Sequence, residues 1–275
     1  MKIAIISDIH GNLEALKCVL RDVNACQVDK LICLGDTIGK GVNASTCIDL
    51  VRANCDVVLY GNTDTRFCEN PKDWENDPVE FNRIKFNQSL ISNEQMEYLK
   101  SLPFAEEFYL SGYLVRLFHA HPTSCFKFVN EYDKSFHEKF KMFQGSDLTP
   151  TKETADIVVY GHLHYPFMQK LFNRTLICSG SVGNSVCTTL IDGYNSDPSE
   201  ITQAHYVILE GEYGSKTPSK FDIQFKSVPY DIEKELQSNV GVNPEYDAYK
   251  IELQQGRYRN MERVNQSFIE QGYDI

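Results

Sequence analysis

Short apolar runs alternate with amphipathic segments through the first sixty residues. Lys2 to Ser7, Lys30 to Leu34 and Asp56 to Tyr60 are β-rich and end in polar or turn-forming residues. Between the first two, Leu13, Leu16, Val19, Leu20 and Val23 recur at the spacing of one helix face, and a weaker helical pattern covers Ser45 to Arg52. This strand-helix alternation predicts an α/β protein with a largely parallel sheet. Phe67 to Lys100 is more polar, with Trp74, Phe81, Ile84, Phe86 and Leu90 spread among charges. It reads as a helical insertion, about residues 66–100, able to overhang a site. Two strand-like runs then flank Ser111-Gly112 between Glu107 and His119, and a helix is expected over Glu131 to Phe143. Strands resume at Asp156 to Tyr160, Phe167 to Phe172, Thr175 to Cys178, His205 to Leu209 and Phe221 to Phe225. From Pro229 the pattern is helical again, with Met261, Val264, Phe268 and Ile269 on one face. The expected organisation is a core over residues 1–228 and a helical extension, 229–275, packed back onto it.

Polar residues able to bind metal fall where the predicted strands end, the edge at which an α/β sheet presents its functional loops. The first strand ends in Asp8-Ile9-His10-Gly11-Asn12, the second in Gly35-Asp36 and the third in Gly61-Asn62-Thr63-Asp64. Later strands end in His119-Ala120-His121 and Gly161-His162-Leu163-His164. On extended backbone, side chains two apart share a face, so Asp8 with His10, and His162 with His164, are expected to grip one ion each way. Mixed nitrogen and oxygen donors without thiolate suit manganese, iron, zinc or cobalt better than a structural cysteine-type zinc site. Gly35 to Gly41 is not a phosphate-binding P-loop, since Gly41 stands where Ser or Thr is required.

In this order, D-x-H, G-D, G-N-x-D, H and G-H-x-H resemble the calcineurin-like metallophosphoesterase superfamily. The resemblance implies a four-layer α/β/β/α sandwich of two mixed sheets. It implies one ion held by Asp8, His10, Asp36 and His164, and a second by Asp36, Asn62, His119 and His162. The two divalent or mixed-valence ions, manganese or iron with zinc or cobalt as further candidates, would share a hydroxide that attacks phosphorus. That centre carries a net positive charge and attracts phosphate. Most of the superfamily has histidine after the motif asparagine, where it assists the leaving group; this chain has Thr63. His121 is the candidate to replace it as a catalytic acid. Asn12, Lys40 and Thr63 are candidate substrate contacts, with helix capping the competing role for Asn12 and a solvated loop lysine the competing state for Lys40. Asp64 is either a support behind the ligands or a cap. The segment Ser179 to Gly183 resembles the family's N-P-G-S-V-G loop and is taken as a turn near the site. The tail from Val228-Pro229-Tyr230-Asp231 is similar to a bacterial branch that includes asymmetric diadenosine tetraphosphate hydrolases with phosphodiesterase activity.

Charge and composition narrow the partners. Lys and Arg number 27 against 38 Asp and Glu, a net charge of −11, which argues against wrapping a long nucleic acid. No apolar run approaches a membrane span, and Asp8 interrupts the first strand too early for a signal peptide, so a cytoplasmic location is expected. Nine cysteines, with no C-x-x-C pair and several inside apolar runs, read as reduced core thiols. Trp74, Phe67 and Phe81 are expected to be core rather than a base-stacking surface. The functional expectation is hydrolysis of a small phosphorylated substrate, either a phosphodiester or a nucleotide phosphoanhydride such as a dinucleoside polyphosphate. Preference for phosphomonoesters or phosphopeptides would instead mark a phosphatase, a basic track would mark a nuclease, and bound metal without turnover a scaffold.

Overall fold

The computed structural model describes residues 1–129, 135–187 and 201–270, apart from the side chains of 263–265, 267 and 268. Strand β1 (Lys2–Ile6), helix α1 (Leu13–Ala25), β2 (Lys30–Cys33), α2 (Ala44–Asn54) and β3 (Val57–Val58) follow one another as the hydrophobic pattern requires. The inserted region comprises α3 (Asn62–Arg66), a 3-10 turn (Pro71–Trp74), α4 (Pro78–Ser89) and α5 (Asn93–Lys100). Then come β4 (Ala105–Leu110), β5 (Tyr113–Phe118), α6 (Phe136–Lys141), β6 (Ile157–Tyr160), β7 (Pro166–Leu171), β8 (Arg174–Ser179), β9 (Ala204–Glu210) and β10 (Asp222–Val228). The extension holds α7 (Ile232–Asn239), α8 (Tyr246–Gln255) and α9 (Met261–Glu270). Residues 131–134 of the helix expected before Phe143 lie outside the described residues, as do the side chains of Val264 and Phe268.

Among the described residues, ten strands form two five-stranded sheets, ordered β10-β9-β1-β2-β3 and β4-β5-β6-β8-β7. Both are mixed, as the family resemblance implies; the strand-helix alternation alone points to a largely parallel first sheet. Strands β1, β2 and β3 run parallel, but the β9-β10 pair returns from the second sheet and joins the open edge of β1 antiparallel. The second sheet joins parallel pairs β5-β6 and β6-β8 to antiparallel edges.

Alternation along β1 explains the layering. Ile3 and Ile5 point between the sheets, where they pack with Ile32, Leu34, Val115, Leu117, Val159 and Ile177. Ala4 and Ile6 point the other way, onto Leu16 and Val19 of α1 and Ile48 of α2. On the second sheet, Leu114, Val158 and Leu176 face outward beneath Met142 and Phe143. A strand buried on both faces must be apolar at nearly every position, which is why KIAII carries no polar alternation after Lys2. Each fully buried Ile or Leu contributes about 1.5–3 kcal/mol, so the two faces of β1 tie three layers together.

The extension is fastened to the first sheet's helices by buried polar contacts. Glu235 on α7 accepts from the Glu14 backbone N–H at 3.3 Å and the Asn239 amide at 3.0 Å. Phe67 is buried in the core and Trp74 packs against it, as expected for structural aromatics, whereas Phe81 is only half-buried outside the core, with Lys85 over its ring. No disulfide links the described cysteines; Cys33 and Cys47 are buried thiols raised by desolvation, Cys33 to about 12. Among the described residues, no helix is long and apolar enough to cross a membrane.

Candidate metal centre

The turns after β1, β2, β3, β5 and β6 converge on one buried point. Asp8, His10, Asp36 and His119 are at most 1% exposed, and His164 is buried too. The expected extended geometry of the Asp-x-His and His-x-His pairs is not what brings them together. Asp8, His10, Asp36, His162 and His164 all have positive φ, between 52° and 69°. Left-handed backbone is unfavourable for residues other than glycine, and such outliers gather where function demands them. Here a wound backbone turns each donor toward the centre while Ile9 and Leu163, between the pairs, stay in the core.

The loops are held in that shape by backbone bonds continuing beyond the ladder. Asp8 N–H donates to Gly35 O, His10 N–H to Asp36 O and Gly11 N–H to Thr37 O, at 2.9–3.0 Å. Asp64 accepts from the backbone N–H groups of Gly61 (3.0 Å), Thr37 (3.0 Å) and Ile38 (3.3 Å), so it both caps α3 and fixes the Asp36 loop. Burial raises its carboxyl to about 6 against those hydrogen bonds. The Ser181 hydroxyl and the Gly183 N–H donate to the Asp8 carbonyl, so the Ser179 to Gly183 segment is a clamp on the first loop.

Two glycines stand where no side chain fits. A Cβ at Gly61 would strike the Asp36 carboxylate and backbone, and one at Gly161 would strike Ser7 Oγ and Asp8 Oδ2. Gly61→Ala and Gly161→Ala are each expected to cost about 1–3 kcal/mol of stability, read by thermal or denaturant unfolding. Wild-type unfolding curves for both would show that these approaches are not tight.

The tautomers follow from the outer contacts. His10 Nδ1 faces Ile38 O at 3.3 Å, His119 Nδ1 faces Leu34 O at 3.2 Å, and His164 Nδ1 faces Asn184 O at 2.6 Å. Carbonyls only accept, so each ring donates outward from Nδ1 and turns the Nε2 lone pair inward. His10 Nε2 and His164 Nε2 then lie 3.0 Å apart, with Asp8 Oδ1 3.3 Å from His164 Nε2 and Asp36 Oδ2 3.6 Å from His10 Nε2. Asp8 Oδ1 is buried without a hydrogen-bond partner. On the other side, His119 Nε2 is 3.5 Å from Asp36 Oδ1, and both His119 Nε2 and His162 Nδ1 are 2.9 Å from the Asn62 amide. With Oδ1 inward the amide presents a lone pair beside both rings; turned the other way, its two N–H groups could reach at most two of His119 Nε2, His162 Nδ1 and Asp36 Oδ2.

Facing lone pairs at such distances call for positive charge between them. The separations bracket the roughly 3.3 Å expected between ligands about 2.0–2.2 Å from a common tetrahedral centre. Asp8, His10 and His164 form one group that could hold an ion, and Asp8, Asp36 and His119 a second. The electrostatics agree. Burial, with Asp8 and Asp64 nearby, pushes the Asp36 carboxyl well above its ordinary range. Burial would raise Asp8 too, and only positive charge on its His164, His119 and His10 side would hold that carboxyl low. Burial keeps His10 and His119 neutral and pushes His162 down to about 3. The donor set therefore fits divalent cations.

The three candidate substrate contacts have their polar groups engaged within the protein. Asn12 caps α1, its Oδ1 accepting from Ala15 N–H at 3.0 Å, while its amide donates to Gly183 O and Tyr230 Oη; no donor remains for substrate. Lys40 is not solvated, because its ammonium is held by Asn184 Oδ1 at 2.5 Å and Glu252 Oε2 at 3.1 Å. Thr63 Oγ donates to Ile38 O at 2.7 Å, and its N–H donates to Asp36 Oδ1, so it supports a ligand rather than offering a free hydroxyl. His121 is buried, its Nδ1 is tied to Thr123, and desolvation pushes it down to about 4, so it is a neutral ring at neutral pH. Phe128 escaped sequence reasoning. Its ring packs edge-on to His162 at 6.0 Å yet remains 46% exposed.

Two mixed sheets flanked by helices, with these loops gathered at one edge, define a metallophosphoesterase fold. The chain belongs to the calcineurin-like phosphoesterase superfamily, whose domain description it matches over residues 1–192. It is 30% identical over 246 residues to the uncharacterized protein MJ0912 of Methanocaldococcus jannaschii, covering 84% of this chain and 89% of that one. Its structure is similar to a metallophosphoesterase from Sphaerobacter thermophilus, with a TM-score of 0.67, 24% identity, and 93% of this chain and 99% of that one covered. It is also similar to the hypothetical protein PH1004 from Pyrococcus horikoshii, with a TM-score of 0.70, 16% identity and coverage of 94% and 99%.

Proposed function

We propose that this protein hydrolyses small phosphodiesters or nucleotide phosphoanhydrides, using two divalent ions. The observation that carries the reading is the convergence of inward-facing lone pairs from Asp8, His10, Asp36, Asn62, His119, His162 and His164 at one sheet edge. Asp8, His10 and His164 would hold one ion, Asn62, His119 and His162 the other, and Asp36 lies within reach of both sides. Bound there, such ions supply Lewis-acid polarisation of phosphoryl oxygens and lower the pKa of a coordinated water.

The rest of the pocket favours substrates that need little acid assistance. Thr63 has committed its hydroxyl proton to Ile38, and the neutral His121 has no proton to spare as an imidazolium. A departing nucleotide or polyphosphate is stable as an anion, so it tolerates the lack of a proton donor better than an alkoxide does. Asn62, Thr63 and His162 are the partly exposed members of the cluster, so substrate reaches the centre on their side. The exposed Phe128 ring on His162 offers an organic group a stacking surface there. The tail similar to that of the diadenosine tetraphosphate hydrolase branch supports the same substrate class.

The test is hydrolysis by manganese-loaded protein of bis-p-nitrophenyl phosphate, p-nitrophenyl phosphate and diadenosine tetraphosphate, with a chelator control. Faster, chelator-sensitive cleavage of the diester or dinucleotide is expected; monoester preference would replace this reading with a phosphatase. Phe128→Ala is expected to raise KM for the dinucleotide about five-fold or more with kcat little changed, the loss of one stacked base. An unchanged KM would remove Phe128 from substrate binding.

A further inference from the structure

The helical extension reaches the back of the candidate centre through a chain of buried polar groups. Glu252, on α8, is fully buried, as is Asn184 after the Ser179 to Gly183 clamp. Arg259 grips the Glu252 carboxylate with Nε at 2.7 Å and Nη2 at 2.8 Å. The same carboxylate accepts from Lys40 Nζ and from Asn184 Nδ2, both at 3.1 Å. Lys40 Nζ also donates to Asn184 Oδ1, and Asn243 in the extension donates to the Lys40 carbonyl at 2.7 Å. Asn184 thus has both ends of its side-chain amide fixed, and His164 Nδ1 faces both its backbone carbonyl oxygen, at 2.6 Å, and its Oδ1, at 3.1 Å. Burial alone would raise the Glu252 carboxyl, but Lys40 and Arg259 hold it well below the ordinary carboxylate range, so it stays charged.

A ring that donates outward to a fixed acceptor is locked in one tautomer and one orientation, and partners of this kind tune metal affinity as strongly as any group beyond the ligands themselves. We propose that Glu252, acting through Lys40 and Asn184, is a positioning residue for His164, so that the C-terminal extension completes the ion site on the Asp8-His10-His164 side. Lys40 is then a strut between the tail and the loop of Asn184 rather than a substrate contact. The inference rests on the metal-site reading above.

The experiment measures manganese binding to chelator-stripped full-length protein by calorimetry, with the histidine ring nitrogens followed by 15N NMR before metal is added. Glu252→Gln removes the charge, and Lys40→Met removes the strut while leaving Glu252 paired with Arg259, so one variant remains foldable if the other does not. Each is expected to weaken one of two manganese sites by about 10–100-fold, leave the other unchanged, and shift the His164 signals away from a single Nδ1-protonated tautomer. Glu235→Gln, which loosens the extension elsewhere, is the control and should move neither readout. Two wild-type affinities with an unaltered His164 signature in Lys40→Met would overturn the inference, as would an equal loss in Glu235→Gln. Failure of the parent protein to bind two manganese ions would instead defeat the metal-site reading itself.

Discussion

Asp36→Asn is expected to lower turnover by at least about 10²–10³-fold, the cost of losing one preorganised electrostatic contact in a dry site. Asp36 faces His10 on one side and His119 on the other, at 3.6 and 3.5 Å. An amide in its place can still accept the Thr63 N–H bond at 2.8 Å, so the loop keeps its shape while the negative charge disappears. Bound manganese should fall below two ions per chain by elemental analysis. The metal-free protein should unfold at the same temperature or higher, because Asp36 is buried beside Asp8 and Asp64 and its charge opposes folding. Activity and stability would then move in opposite directions, which a general folding defect cannot produce. A variant with two ions and parental turnover would sink the assignment.

The candidate ligands were legible in the sequence because metal chemistry restricts residue type. Asp, Asn and His at strand ends have few structural reasons to recur in that order, and the short apolar runs before them, buried on both faces, were recognisable by their continuous hydrophobicity. The sheet's mixed character depends on β9 and β10 returning to the β1 edge, a long-range choice with no local signature. The left-handed backbone of Asp8, His10, Asp36, His162 and His164 was equally hidden, since nothing in D-x-H distinguishes a wound turn from a strand. Capping by Asn12 was written locally, in its position before the amphipathic run. The fate of Lys40 was not: its partners Asn184 and Glu252 lie far along the chain, and ion pairing across such distance leaves no spacing to read. Asn184 had one usable signal, its place directly after the glycine-containing loop that resembles a family motif.

The largest stability effect is expected outside the candidate metal centre, in strands β4 and β5. Glu107 and Arg116 are cross-strand partners, and Arg116 occupies the outward face of the second sheet between Leu114 and Phe118, where an apolar residue would keep the alternation. The pair is almost completely buried, with Arg116 Nε 2.6 Å from Glu107 Oε1. The guanidinium also donates to the carbonyls of Phe143 at 2.8 Å and Glu153 at 2.6 Å, and Thr151 Oγ donates to the second Glu107 oxygen at 2.7 Å. The arginine therefore ties the 143–153 segment to the sheet. Glu107→Ala leaves its charge buried without a counter-ion, which costs about 3–5 kcal/mol and lowers Tm by roughly 6–20 °C. The double variant Glu107→Leu with Arg116→Met removes both charges together and should recover most of that loss, since desolvation of an ion pair offsets much of its attraction. Manganese stoichiometry should be unaffected in either, because the pair's hydrogen bonds run to each other and to Phe143, Thr151 and Glu153 rather than to the candidate ligand loops. A Glu107→Ala protein within 1 kcal/mol of the parent would show that the carbonyls alone satisfy Arg116, and the pair would then be a fastening of the segment rather than a charge that the fold must neutralise.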